Sequence, residues 1–388
     1  MMSTVIIGSG LAGYTAAREI RKHHKTDDIT LVTQDDGHFY SKPILSEALR
    51  SGLNASDLVV RTSEKMAQQI RGQVLTHQRV MAIDKVAQIV SLQGRTLAYD
   101  NLVLATGAEP VPLPLDSDSL SNVLAVNSLS DYQRFRSALE GKKTIAIIGA
   151  GLVGCEFAND LADAGYQVTL IDIAAQPLAR LLPAHNATFT VSALQNIGVN
   201  CRLNTGVNRI ERKASSYVLS LSDQSVLEVD VVLAATGLRP NIALAQQAGL
   251  EVAHGIVVNA QLRTSASNIY AIGDCAEVEG LWLPYIAPIA PAARILAKAL
   301  GGAGDDLQYA AMPVTIKTPA CPTVVCLPPA QSDGRWESEC AEAGVKSSFF
   351  DPQGQLLGFA LSGSFVGEAR ELATSLPALL ETRAAMDS

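Results

Sequence analysis

Residues 4–13 read Thr4-Val5-Ile6-Ile7-Gly8-Ser9-Gly10-Leu11-Ala12-Gly13, and residues 144–154 read Thr144-Ile145-Ala146-Ile147-Ile148-Gly149-Ala150-Gly151-Leu152-Val153-Gly154. Each is an apolar, strand-like run that ends in G-x-G-x-x-G and passes into a helical pattern, the context that makes this spacing informative. Gly8 permits a tight turn, Gly10 lets a pyrophosphate approach the backbone, and Gly13 lets helix and strand pack closely. The helix start that follows supplies amide donors and partial positive charge. The same roles fall to Gly149, Gly151 and Gly154. The reading decides the fold class: α/β, with two Rossmann-like three-layer nucleotide-binding domains.

Working outward, each unit repeats the same order. Residues 4–7, 11–22 and 29–33 form strand, helix and strand, and residues 144–148, 152–164 and 167–171 do so again. Both units later reach a buried strand that ends in a Thr-Gly turn, at Ala105-Thr106-Gly107 and Ala235-Thr236-Gly237. A repeat this long means two related domains and not a solenoid, whose units are far shorter. Segments 74–83 and 88–92 alternate like a small antiparallel excursion. Residues 110–118 carry three prolines and two aspartates and form the best linker candidate. Beyond Pro240, a strand-turn at residues 269–274 precedes an apolar helix over 289–300. Strand-like segments at 314–317, 323–327, 346–350 and 356–362, with a closing helix over 366–383, suggest a third, α+β domain. The expected boundaries are 1–110 and 242–314 for the first nucleotide domain, 111–241 for the second, and 315–388 for the third.

The strand ends differ. The second unit ends in Asp172, whose carboxylate accepts bonds from an adenosine ribose and repels a 2′-phosphate; the first basic residue after it is Arg180. That site favours NADH over NADPH. The first unit ends in Thr33 and Gln34, with Asp35 just beyond, so a hydroxyl and an amide take the ribose position. Two dinucleotides in one chain point to a flavin and a nicotinamide.

The bulk numbers set limits. The chain has 388 residues, 48% hydrophobic and 18% charged, and a net charge of −8, which gives no support for broad binding to nucleic acid or anionic lipid. Its apolar runs are strand-sized, and none is long enough to span a bilayer. No basic n-region or apolar h-region precedes the first strand, so a cytoplasmic protein is expected. Six cysteines in a chain of this length do not resemble a secreted disulfide framework, and the six histidines show no metal-ligand spacing.

The first Gly motif, Ala105-Thr106-Gly107, the second Gly motif with its trailing Glu156, Ala235-Thr236-Gly237 and Ala271-Ile272-Gly273-Asp274 resemble, in that order, the FAD-dependent pyridine nucleotide reductases of the glutathione-reductase-like fold. The resemblance implies non-covalent FAD on Gly8, Ser9, Gly10, Leu11, Ala12 and Gly13, with Thr33, Gln34, Val80, Ala105, Thr106 and Gly107. It implies further that Gly273 and Asp274 meet the flavin ribityl chain, and that a helix starting near Ile286 faces the pyrimidine edge. NADH would sit on Gly149, Gly151, Leu152, Val153 and Gly154, with Asp172, Thr236 and Gly237. A lysine of the 39–46 segment, here Lys42 beside Pro43, would pair with Glu156 next to flavin N5, and these two are the expected catalytic residues.

Disulfide reductases of this family carry C-x-x-x-x-C in the segment that here reads Phe39-Tyr40-Ser41-Lys42-Pro43-Ile44-Leu45-Ser46, without cysteine. A flavin with no thiol relay gives its electrons to a docking partner or to oxygen. Cys321 and Cys326 have the x4 spacing but lie in the third domain and read as structural. The 39–46 segment and Met312-Pro313-Val314-Thr315-Ile316-Lys317-Thr318-Pro319 resemble the rubredoxin reductase branch, which implies Lys317 near the flavin and a rubredoxin-type iron–sulfur protein as acceptor. Alternatives are an NADH-dependent ferredoxin reductase, an NADH oxidase, or a nucleotide-controlled redox sensor. Monomer and homodimer stay open.

Overall fold

The computed structural model describes residues 2–115, 120, 122–302 and 304–380. The linker expected over 110–118 and the closing helix expected over 366–383 therefore run partly outside the described residues.

The first core is a five-stranded parallel sheet in the order Ile269–Ala271, Asn101–Leu104, Ser3–Ile7, Asp28–Val32, Gln73–Leu75. Val5, Ile6, Leu31, Leu102, Val103 and Leu104 are buried, as strands covered on both faces require. Helices Leu11–His23 and Ile289–Leu300 pack together within the same core. The second core repeats the plan with Asn200–Arg202, Gln167–Ile171, Thr144–Ile148 and Val231–Ala234, all parallel. Each unit also carries a three-stranded antiparallel sheet just before the strand that leads into its Thr-Gly turn, at residues 80–98 and 207–229. The repeat is thus deeper than its motifs show.

The 74–83 segment is not wholly an antiparallel excursion. Gln73–Leu75 joins the parallel sheet, and the antiparallel strand begins at Val80. Between them His77 takes a positive φ of 52° and its amide donates to the Asp35 carbonyl. This turn separates two strands that alternation alone reads as one.

The chain passes from the first unit to the second and back along adjacent antiparallel strands, Ala108–Pro110 and Leu238–Pro240. Both Thr-Gly turns brace this crossing. The Thr106 hydroxyl donates to the Asn241 carbonyl (2.9 Å), and the Thr236 hydroxyl to the Val111 carbonyl (2.7 Å).

The C-terminal unit is an antiparallel sheet in the order Val314–Ile316, Thr323–Cys326, Leu356–Gly363, Gly344–Phe350, Arg335–Ala341. Fully buried Asn186, on the Ala184–Asn196 helix of the second unit, donates to the carbonyls of Val345 and Ala360 and accepts from Ser347 (2.6 Å). One amide side chain thereby docks the two units. The closing helix is shorter than expected, a 3-10 turn Ser364–Glu368 followed by Ala369–Thr374. Pro377 follows, and it lacks an N–H and clashes with a continuing helix.

Segment 45–58 departs from the linear division. Leu45, Ala48, Leu49, Ala55 and Leu58 pack into the second unit's core, beside Ile316, Val325 and Ala360 of the C-terminal sheet. Among the described residues no helix is long and apolar enough to cross a membrane.

Candidate functional site

The two Gly-rich turns are nearly superposable in their steric logic. Gly8 and Gly149 hold φ of +116° and +109°, a region that L side chains disfavour. A Cβ on Gly13 would stand 1.9 Å from the Gly8 carbonyl oxygen, and one on Gly154 would stand 1.8 Å from that of Gly149. By contrast, a Cβ on Gly10 or Gly151 would meet nothing within 4 Å. The outer glycines are thus required by the fold, whereas the middle ones keep an open approach. Both helices start with Gly at the N-cap and no side-chain cap. Their first-turn amides remain available to an anion.

Beside the second turn, Asp172 accepts from Ala150 N (2.5 Å) and Ala174 N (2.7 Å), which sets the carboxylate against the Gly loop. Its neighbour Ile173 is 80% exposed, an apolar side chain next to that carboxylate. Beside the first turn, Thr33 is buried and takes the place of Asp172. Gly8 N bonds Val32 O as Gly149 N bonds Ile171 O. Thr33 donates to Asp35 Oδ1 (2.6 Å), which also accepts from Ser9 Oγ (3.0 Å) and Gly37 N (3.0 Å). The carboxylate that the strand end lacks thus folds back onto the same loop from two residues on. Asp35 was outside the sequence-derived set; a signal lay in the D-x-G turn, where Asp caps its own backbone. Gln34 is exposed. Nearby, the Gln78 amide donates to the Thr33 carbonyl (2.8 Å), two residues before Val80. An open groove of about 500 Å3 runs along Leu75, Thr76, Gln78, Gln93 and Arg95.

The expected Lys42–Glu156 pair does not form. Glu156, 2% exposed in the second turn of the Leu152–Asp163 helix, pairs with Lys317 at 3.1 Å. Its Oε2 accepts from the Ser46 hydroxyl (2.6 Å), and its Oε1 from the Lys317 backbone amide (3.0 Å). The Lys317 ammonium also reaches the Pro43 carbonyl, Ser46 Oγ (3.1 Å) and Glu47 Oε2 (3.5 Å). The Lys42–Ser46 3-10 turn explains the exchange. It presents the Ser46 side chain and the Pro43 carbonyl to Glu156 and Lys317.

Lys42 instead lies in the field of Asp274 and Asp131. Burial lowers its pKa below the ordinary lysine value, opposed by those two carboxylates. Burial raises Asp274 above the usual carboxylate range, opposed by Lys42. Neither side chain has a hydrogen-bond partner among the described residues. Asp274 is fixed through its carbonyl, which accepts from Trp282 Nε1 (2.8 Å), and Gly273 (φ +80°) lies against Ala12 Cβ of the first loop. Ile286 is 48% exposed just ahead of the Ile289–Leu300 helix. An ammonium and a carboxylate with open bonding capacity beside an open Gly loop suit a polar group such as a flavin and its ribityl chain.

The Leu152–Asp163 helix carries a polar stripe that the sequence reading passed over. Asn159 accepts from Ala320 N (2.9 Å), and Asp160 accepts from Leu49 N (2.9 Å) and Arg50 N (3.1 Å). Glu156, Asn159, Asp160 and Asp163 stand at i, i+3, i+4 and i+7, one face of a helix. That period was the available signal. All six cysteines are free; Cys155, Cys275, Cys321 and Cys326 are buried, and Cys321 and Cys326 form no disulfide.

The family model described as pyridine nucleotide-disulphide oxidoreductase matches residues 2–294, and that described as a rubredoxin binding C-terminal domain matches residues 306–376. A rubredoxin-NAD(+) reductase of Alcanivorax borkumensis is 45% identical, with 98% of this chain and 100% of that protein covered. Another of the same name, from Acinetobacter baylyi, is 42% identical over 97% and 98%. Among solved structures, the covalent putidaredoxin reductase–putidaredoxin complex matches with a TM-score of 0.87 at 28% identity, over 97% of this chain and 94% of that one.

Proposed function

Because the chain belongs to the pyridine nucleotide-disulphide oxidoreductase family, we propose that it is an FAD-dependent NADH:rubredoxin reductase. One observation carries the reading. The C-terminal unit, matched by the rubredoxin-binding family model, inserts Lys317 into the buried Glu156–Ser46 cluster, on the segment where disulfide reductases place their cysteines. The acceptor-binding unit and the redox junction are therefore one construction.

Bound FAD supplies the conversion of a two-electron hydride from NADH into single electrons for an iron–sulfur protein. The chain's own residues bind and orient. Gly8, Gly10, Gly13 and the amides beyond them hold the FAD pyrophosphate; Asp35 braces that loop, and the groove at Leu75 and Gln78, near Val80, takes the adenosine end. Asp274 and Lys42 hold the ribityl and ring polar groups, with Ile286 at the rim. Gly149, Gly151 and Gly154 hold NADH, and Asp172 excludes a 2′-phosphate by charge. Glu156 and Lys317 fix the junction at which the two nucleotides meet, so that orientation supplies most of the rate. We assign residues 1–110 and 242–314 to FAD, 111–241 to NADH and 315–388 to the acceptor. The reading carries with it a cytoplasmic location, where NADH is replenished.

The test is stopped-flow reoxidation of the NADH-reduced protein by rubredoxin, by a [2Fe–2S] ferredoxin and by oxygen in parallel. Rubredoxin should be fastest. A faster reaction with ferredoxin or oxygen would replace this function by one of those two.

A further inference from the structure

Around the Lys317 ammonium stand four acceptors for three protons: the Pro43 carbonyl, Ser46 Oγ, Glu156 Oε2 and Glu47 Oε2. They are unequal. Glu156 is 2% exposed and its carboxylate is saturated by Ser46 and by both nitrogens of Lys317, whereas Glu47 is 27% exposed at the longest distance, 3.5 Å. Ser46, itself buried, closes the ring: its hydroxyl donates to Glu156 and accepts from Lys317. Neither Ser46 nor Glu47 belongs to a nucleotide motif, and the two adjoin in sequence.

We propose that Ser46 and Glu47 are positioning residues for the flavin-reduction step, acting through Lys317. Ser46 locks the Glu156 carboxylate and the Lys317 ammonium into one three-membered hydrogen-bonded ring that ties the nicotinamide unit's helix to the C-terminal unit. Without the hydroxyl, Glu156 Oε2 loses its shortest bond and the ammonium loses one of its three well-placed acceptors. Both groups then gain rotational freedom at the junction, and a misplacement of this kind lowers the rate of a step that depends on alignment. Glu47 acts by charge. Two cations, Lys317 and Arg50, face the four carboxylates of Glu47, Glu156, Asp160 and Asp163, so the cluster is net negative, and that negative charge disfavours reduction of a neighbouring flavin. The inference rests on the flavin reading above.

The test uses the holoenzyme in four forms, wild type, Ser46→Ala, Ser46→Thr and Glu47→Gln, with Ser46→Ala repeated in a Lys317→Met background. Ser46→Ala should slow NADH-driven flavin reduction about tenfold, the size of one lost charge-assisted hydrogen bond, with the KM for NADH within about twofold of wild type. Ser46→Thr should restore the rate, and in the Lys317→Met background Ser46→Ala should slow nothing further. Glu47→Gln should shift the flavin midpoint potential upward. An undiminished rate in Ser46→Ala, an equal loss with and without Lys317, or an unmoved potential in Glu47→Gln would overturn the proposal. Failure of wild type to hold FAD or to be reduced by NADH would instead overturn the underlying function.

Discussion

Glu156 forms its ion pair with Lys317, 161 positions further along the chain, and leaves Lys42 to face Asp274 and Asp131. The two lysines are therefore divided between two tasks. Lys317 is a saturated cation at a three-unit junction, and Lys42 has no hydrogen-bond partner among the described residues.

Removing either half of the buried pair should have unequal effects. Lys317→Met leaves Glu156 buried without its cation, and unfolding should show a loss of about 3–5 kcal/mol, towards the lower end because Ser46 and a backbone amide remain. Glu156→Gln should lose less, since Lys317 is 23% exposed and keeps Glu47 and Pro43 as partners. Equal losses in urea unfolding would contradict the asymmetry.

Nucleotide choice should follow Asp172. In Asp172→Ala the KM for NADH should rise about tenfold, the effect of a lost charged hydrogen bond to ribose. Adding Ile173→Arg, at the exposed position beside it, should bring NADPH within reach. Steady-state kinetics with both nucleotides is the check, and an unchanged NADH preference in the double variant would remove Asp172 from this role.

At the first Gly-rich turn, Asp35→Ala deprives Ser9, Thr33 and Gly37 of a common acceptor. FAD affinity, measured by fluorescence titration, should weaken about ten- to a hundredfold. Asp35→Asn should fall between, because one oxygen remains to accept.

Lys42 sets a pH dependence of known sign. Burial holds its folded pKa below the ordinary lysine value of about 10.4, so the unfolded chain binds its proton more tightly. Stability of the flavin-free protein should therefore rise with pH through the window between the lowered folded value and the ordinary one. Lys42→Met should melt above wild type at neutral pH, and the two curves should converge at alkaline pH. Parallel curves in a thermal scan across that window would sink the assignment.

Thiol labelling of the native protein should find one fast cysteine, Cys340, the only exposed one of the six. Burial pushes the Cys326 thiol up to about 11 and raises Cys155 and Cys275 as well, so these should stay unreactive until the chain unfolds. Rapid labelling of Cys321 or Cys326 would reopen a redox role for that pair.

The parts of this molecule that were legible in its sequence are those where a contact admits one residue type. At 1.9 Å from the Gly8 carbonyl nothing larger than hydrogen fits on Gly13, so the turn has to be written in glycine. Asp172 was legible because its strand ends where the sheet ends. The partner of Glu156 was not, because Lys42 and Lys317 are equivalent as letters and only the 3-10 turn at Lys42–Ser46 distinguishes them. Nor does periodicity say which core an apolar segment enters. Leu45, Leu49 and Leu58 read as buried in any arrangement, yet they fill the core of the second unit. Asp35 was hidden by a turn that folds a side chain back two residues, and the final helix by Pro377.

That borrowed segment limits how the second unit can be exchanged. The paired strands Ala108–Pro110 and Leu238–Pro240 bring its two ends together, the arrangement of a cassette that could be lifted out of its host. Segment 45–58 and the inner face of the C-terminal sheet are packed into it, however, and both stay behind in any cut made at those strands. A transplant from a relative would take root only if residues 45–58 and the facing strands travelled with it, so this unit moves as interlocking pieces and not as a single stretch of chain.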